Sequence, residues 1–150
     1  MTFKSINPYN NEVIEEYPTL NTSELEARLQ LSEKAFHAWK TTSISERAAL
    51  FQKVAGILRE NKEQYAKTIT LEMGKAINEA KGEVEKCAWV CEYYAENAEE
   101  FLQDEYITSD AQKSFVSYEP IGAVLANMPW NIPFWQVFRF AAPYLMAGYV

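Results

Sequence analysis

The spacing of hydrophobic positions changes several times along the chain, and each change marks an element. Residues 3–19 alternate weakly about Asn7-Pro8-Tyr9-Asn10-Asn11, a cluster of turn formers, which predicts a short surface hairpin. Asn21-Thr22-Ser23-Glu24 places a cap residue three positions before a Glu, a helix-start signature. Behind it, Leu25, Leu29, Phe36 and Trp39 fall on one helical face. Ser43-Ile44-Ser45-Glu46 repeats the capping pattern, and Phe51, Val54 and Leu58 carry its helix inward. A third helix is expected from Lys62 to Met73, stopping at Gly74.

The longest helix is expected between Lys75 and Leu102. Val84, Ala88, Cys91, Ala95, Ala98 and Leu102 recur with gaps of four and three, a pattern shared by coiled coils and by long helices laid across a core. The side chains at this seam are small, which favours the core helix. The acidic runs Glu83-Val84-Glu85 and Glu96 to Glu100 read as solvated helix faces. Gln103 to Ala111 reads as a polar connection, and Ser114-Phe115-Val116-Ser117-Tyr118 alternates like a half-exposed strand. No internal repeat or low-complexity segment interrupts this order.

The pattern then changes character. Ile121-Gly122-Ala123-Val124-Leu125-Ala126 has no polar alternation, as expected of a parallel strand buried on both faces. Met128-Pro129-Trp130-Asn131-Ile132-Pro133 follows as a turn, with Pro133 suited to the first turn of a helix. The helix after it is almost uncharged and reads as buried all round. A strand, a tight turn and a helix open a nucleotide-binding α/β unit, whose ligands gather at the carboxyl ends of the strands. An Asn in that turn can aim amide donors into the crevice, or it can cap the helix. Arg139 is the only charged side chain between Phe134 and Val150, so burial would require a partner for it. That partner is either a substrate anion or a carboxylate elsewhere in the fold.

Composition removes several function classes. A net charge of −7 opposes nucleic-acid binding, and no basic stripe offsets it. The start Met1-Thr2-Phe3-Lys4-Ser5-Ile6 lacks the pattern of a signal peptide, and no uncharged run reaches membrane-spanning length. Cys87 and Cys91 lie one helical turn apart, which is neither zinc nor redox spacing, so they read as packing thiols in a reduced, cytoplasmic protein. His37 has no acidic or cysteine neighbour to make it a catalytic base.

Tyr118-Glu119-Pro120-Ile121-Gly122 through Pro129-Trp130-Asn131-Ile132-Pro133 to Ala147-Gly148 resembles the start of the cofactor domain of NAD(P)-dependent aldehyde dehydrogenases. Asn7-Pro8, the Trp39 region and Leu71-Glu72-Met73-Gly74-Lys75 resemble the same family, so the likeness covers nearly the whole chain. Trp130-Asn131-Ile132-Pro133-Phe134-Trp135-Gln136-Val137-Phe138-Arg139 is most similar to bacterial succinate-semialdehyde dehydrogenases. The resemblance implies an α/β fold: an N-terminal helical layer plus the first strand and helix of a Rossmann-like cofactor domain, incomplete here. The family's chains are much longer, and Gly148-Tyr149-Val150 reads as a helix stop leading into another strand, so residues 1–150 are expected to be the N-terminal portion of the cofactor-binding domain.

By that resemblance, Asn131 donates to the aldehyde oxygen as a cysteine thiolate attacks it. The Asn127, Met128, Pro129, Trp130 and Asn131 stretch passes the nicotinamide and its ribose. Arg139 binds the carboxylate of the substrate. The absence of G-x-G-x-x-G counts little, since the family binds NAD or NADP without it at this turn. The implied reaction passes through a thiohemiacetal, hydride transfer and thioester hydrolysis, with the nucleophilic Cys and general-base Glu lying downstream. A small-molecule aldehyde is the expected partner, with no nucleic acid or membrane. A homo-oligomer is expected in the intact enzyme, with a strand near 114–118 taking part in its assembly. The alternative is a non-catalytic helical module that binds a partner, or itself, through the Ser114–Tyr118 edge.

Overall fold

A computed structural model describes residues 2–150. The chain opens with the expected hairpin: β1 (Thr2–Ile6) pairs antiparallel with β2 (Val13–Pro18) across the Asn7-Pro8 turn. Four helices follow: α1 (Thr22–Trp39), α2 (Ile44–Glu60), α3 (Lys62–Met73) and α4 (Ile77–Phe101). Both expected capping boxes form. The Asn21 side chain accepts from the Glu24 N–H while the Glu24 carboxylate accepts from the Asn21 N–H, and Ser43 and Glu46 repeat the exchange. Gly74 closes α3 with φ +76°, a left-handed conformation that glycine adopts without steric cost.

Helix α4 is the axis of the core. It packs against α2, α3 and the last helix, α5 (Pro133–Met146). Val84, Cys87, Ala88, Cys91 and Ala98 are buried on α4, meeting Phe51, Ala55 and Leu58 of α2, Ala66 and Ile69 of α3, and Ala142 and Met146 of α5. Small residues on α4 let three helices approach one seam. On the far side, Arg59 of α2 donates to Glu85 and, in a two-point contact, to Glu92 of α4. The two carboxylates hold that guanidinium in its charged form and lie below the usual carboxylate range because of it.

Several expectations change. Leu25 and Leu29 are exposed: near its C-terminal end α1 buries Phe36, and its Trp39 indole N–H donates to the Leu145 carbonyl at 2.9 Å. The stretch Glu83-Val84-Glu85 is not a solvated face, since Glu83 and Val84 are buried and Glu85 is paired. Within the expected polar connection, β3 (Glu105–Tyr106) pairs with β4 (Phe115–Val116), and the Tyr118 hydroxyl donates to Glu105.

Ile121–Ala126 departs further from expectation: it belongs to no sheet among the described residues. Ile121 and Leu125 are 88% and 96% exposed. A parallel strand takes its order from neighbours, and here one backbone bond, from the Val124 N–H to the Val150 carbonyl at 2.8 Å, is the contact made in that direction. Helix α5 is likewise not buried all round. Phe134, Trp135, Phe138, Ala142, Leu145 and Met146 face the core, while Val137, Arg139 and Tyr144 are exposed.

Helix α5 ends in a double turn. The Gly148 N–H donates to Leu145 and the Tyr149 N–H to Tyr144, with Gly148 at φ +94°. A Cβ on Gly148 would lie 2.9 Å from Nη1 of the buried Arg47 and 3.0 Å from Cγ of Pro120. Gly148→Ala is therefore expected to destabilise the fold by about 1–3 kcal/mol through backbone strain, before any clash is added. Chemical denaturation of the variant checks this, and an unchanged midpoint would contradict it.

Candidate functional site

The turn from Asn127 to Ile132 lies between the Ile121–Ala126 segment and α5. Trp130 is 78% exposed, and Asn127, Pro129 and Asn131 are exposed beside it, with Met128 half-buried. The residue that caps α5 is Ile132, and no side chain from the turn accepts a bond from the helix. Asn131 is thus not acting as the cap. Its amide makes no hydrogen bond among the described residues, so both its donors are free.

A single carboxylate from another helix satisfies the N–H groups at the start of α5. The first N–H groups of a helix have no partner within it. At α5, the Phe134 and Trp135 N–H groups both donate to Oε1 of Glu83 on α4, at 2.8 and 3.1 Å. Glu83 is only 6% exposed. Its other oxygen accepts from the Lys75 ammonium, which lies just before α4. A carboxylate at a partly buried helix N-terminus can contribute up to about 2 kcal/mol, and the lysine meets the requirement that a buried charge be paired. Two further contacts hold the same turn of α5: the Phe134 ring lies 5.4 Å from the ring of Tyr65 on α3, and the Lys86 ammonium sits 3.9 Å from the centre of the Trp135 ring.

Glu83 was legible in principle. Extended toward the N-terminus, the α4 seam runs from Cys91 through Cys87 to Glu83 and Ala80, so an acidic residue occupies a core position. The start of α5 lacks a Ser, Thr, Asp or Asn immediately before Pro133, so an acceptor from elsewhere was required.

Arg139 lies on the exposed side of α5, a little over one turn beyond the Glu83 contacts, and makes no ion pair among the described residues. The expectation that burial forces a partner on it does not hold in this structure. His37 is exposed and borders an open cleft between α1 and residues 121–125. Cys87 and Cys91 are fully buried, and burial pushes each thiol up to about 12. Neither is a nucleophile in this state. The described residues contain no group of three or more metal-binding side chains.

The fold and this turn define a class that sequence comparison confirms. The profile described as "Aldehyde dehydrogenase family" matches residues 1–150, and the chain belongs to that family. It is 45% identical over its whole length to a probable succinate-semialdehyde dehydrogenase (NADP+) of Synechocystis sp., covering 33% of that protein. It is 40% identical to a succinate semialdehyde dehydrogenase (NAD(P)+) of Escherichia coli, over 96% of this chain and 31% of that one. The solved succinic semialdehyde dehydrogenase of Streptococcus pyogenes, in complex with NADP+, superposes with a TM-score of 0.92 at 34% identity, over 98% of this chain and 32% of that one. The chain therefore spans about a third of the length of the relatives it matches.

The buried thiols give a pH prediction. Their folded pKa lies above the unfolded value of 9.0, so the folded state holds these protons more tightly. That stabilisation is complete below pH 9.0 and is lost as pH rises toward about 12. The chain should lose more stability over that window than its Cys87→Ala/Cys91→Ala variant, measured by denaturant unfolding. Parallel curves for the two proteins would contradict the burial of the thiols.

Proposed function

We propose that this chain forms the N-terminal part of an aldehyde dehydrogenase cofactor domain, in an enzyme that oxidises succinate semialdehyde to its carboxylate with NADP or NAD. The observation that carries the reading is the free Asn131 amide, held at an exposed turn whose helix is capped by a different residue. Family membership, and relatives named for succinate semialdehyde and NADP, support the substrate and cofactor.

In this reading the Asn131 amide N–H donates to the aldehyde oxygen as negative charge develops there. A neutral, pre-aimed donor contributes roughly 3–4 kcal/mol to lowering such a barrier. The turn from Asn127 to Asn131, with its two free Asn amides and exposed indole face, suits a flat, polar nicotinamide and its ribose. When bound, the nicotinamide supplies a hydride acceptor. Arg139 offers the substrate carboxylate a forked cation. From Pro133 to Arg139 the helix advances roughly 9 Å, so its long side chain can meet the far end of a short semialdehyde whose aldehyde lies at Asn131. The nucleophilic thiol comes from outside these residues, since Cys87 and Cys91 are buried and protonated. The β3–β4 ribbon, with Tyr106, Phe115 and Tyr118 exposed, serves subunit assembly.

Kinetics of the full-length enzyme test the two assignments separately. Asn131→Ala is expected to lower kcat by roughly 10²–10³-fold with little change in cofactor affinity. Near-normal kcat would remove Asn131 from the chemistry. Arg139→Ala is expected to raise KM for succinate semialdehyde about tenfold, as suits an exposed charge, and to leave an uncharged aldehyde of similar length unaffected. Equal effects on both aldehydes would make Arg139 structural and leave the semialdehyde assignment without a residue of its own.

A further inference from the structure

Glu83 contacts the α5 backbone three residues after Asn131, and the geometry points to a role beyond stability: we infer that Glu83, held by Lys75, is the positioning residue that fixes the Asn131 amide for catalysis. The inference rests on Asn131 acting as the oxyanion donor. Only Ile132 and the ring-restrained Pro133 separate Asn131 from the Phe134 N–H that Glu83 holds at 2.8 Å. The Trp135 N–H shares the same oxygen, so the direction of the helix is fixed as well as its end. Lys75 holds the second oxygen and keeps the carboxylate from rotating away.

The arrangement also explains why Asn131 is available. Asn is a strong cap residue, and a helix start with no other acceptor would draw its side chain inward. Glu83 satisfies those N–H groups from α4, and the Asn131 amide stays exposed. Losing the carboxylate would do two things: release the turn, and offer Asn131 a competing role as the cap.

The test is a double-mutant cycle in the full-length enzyme. Glu83→Gln keeps the shape of the side chain but must turn an NH2 group toward either the α5 N–H groups or the Lys75 ammonium. It is expected to lower kcat by roughly 10- to 100-fold, the scale of a misplacement near 1 Å, with NADP affinity unchanged. In an Asn131→Ala background, Glu83→Gln should lower kcat no further. If Glu83→Gln does not fold, Glu83→Asp, which keeps the charge but falls one methylene short, carries the same cycle. The same fold-loss in both backgrounds, or a lower melting temperature with kcat intact, would show that Glu83 is only structural. An Asn131→Ala enzyme with normal kcat would remove the oxyanion reading itself, and this inference with it. A large Asn131→Ala loss beside a silent Glu83→Gln would overturn this inference alone.

Discussion

Helix α5 begins without an acceptor of its own, and the carboxylate of Glu83 on α4 supplies one across the helix interface. The rest of the arrangement follows from that contact. A carboxylate can sit in the core only if its charge is met, and Lys75 meets it. The first turn of α5 is then tied to the most buried helix of the chain. Tyr65 and Lys86 brace the side chains of the two residues whose N–H groups Glu83 holds. The exposed turn before α5 inherits its position from the core through these contacts, although it makes few contacts of its own.

This division of labour suits the site proposed at the turn before α5. The helical layer supplies rigidity through a seam of small residues on α4, where α2, α3 and α5 meet. The turn supplies donors that remain unpaired, which would be unfavourable in a buried position and is tolerated where water reaches. Arg139, on the exposed side of the same helix, is placed by the same anchor. Arg139 thus rides on the helix and Asn131 on the turn two residues before it, both tied to the core through the same helix start.

Much of the helical layer was legible because its signals are local. The capping boxes at Asn21 and Ser43 and the glycine at Gly74 bound their helices close to where the structure does. The α4 seam was legible from its spacing, and the turn at Asn131 from its place between an apolar run and Pro133. What escaped depends on contacts between elements distant in sequence. Leu25 and Leu29 have the right spacing for a core face, but both lie exposed. Ile121–Ala126 has the composition of a buried strand, but a parallel strand takes its order from neighbours and makes one such bond here. The β3–β4 ribbon is too short for alternation to register at Glu105–Tyr106. Glu83 was read as solvated because it sits in an acidic run, where charge masked a core position.

The position of the Asn131 turn depends on Glu83 holding the start of α5, and residue-resolved hydrogen–deuterium exchange of the full-length protein measures that contact directly. The N–H groups in the first turn of a helix ordinarily exchange quickly, having no partner within it. The Phe134 and Trp135 N–H groups should instead be protected in the wild-type protein, and should lose that protection in a Glu83→Ala variant whose α2 and α4 N–H groups stay protected. Rapid exchange at Phe134 and Trp135 in the wild type, or equal protection in both proteins, would contradict it.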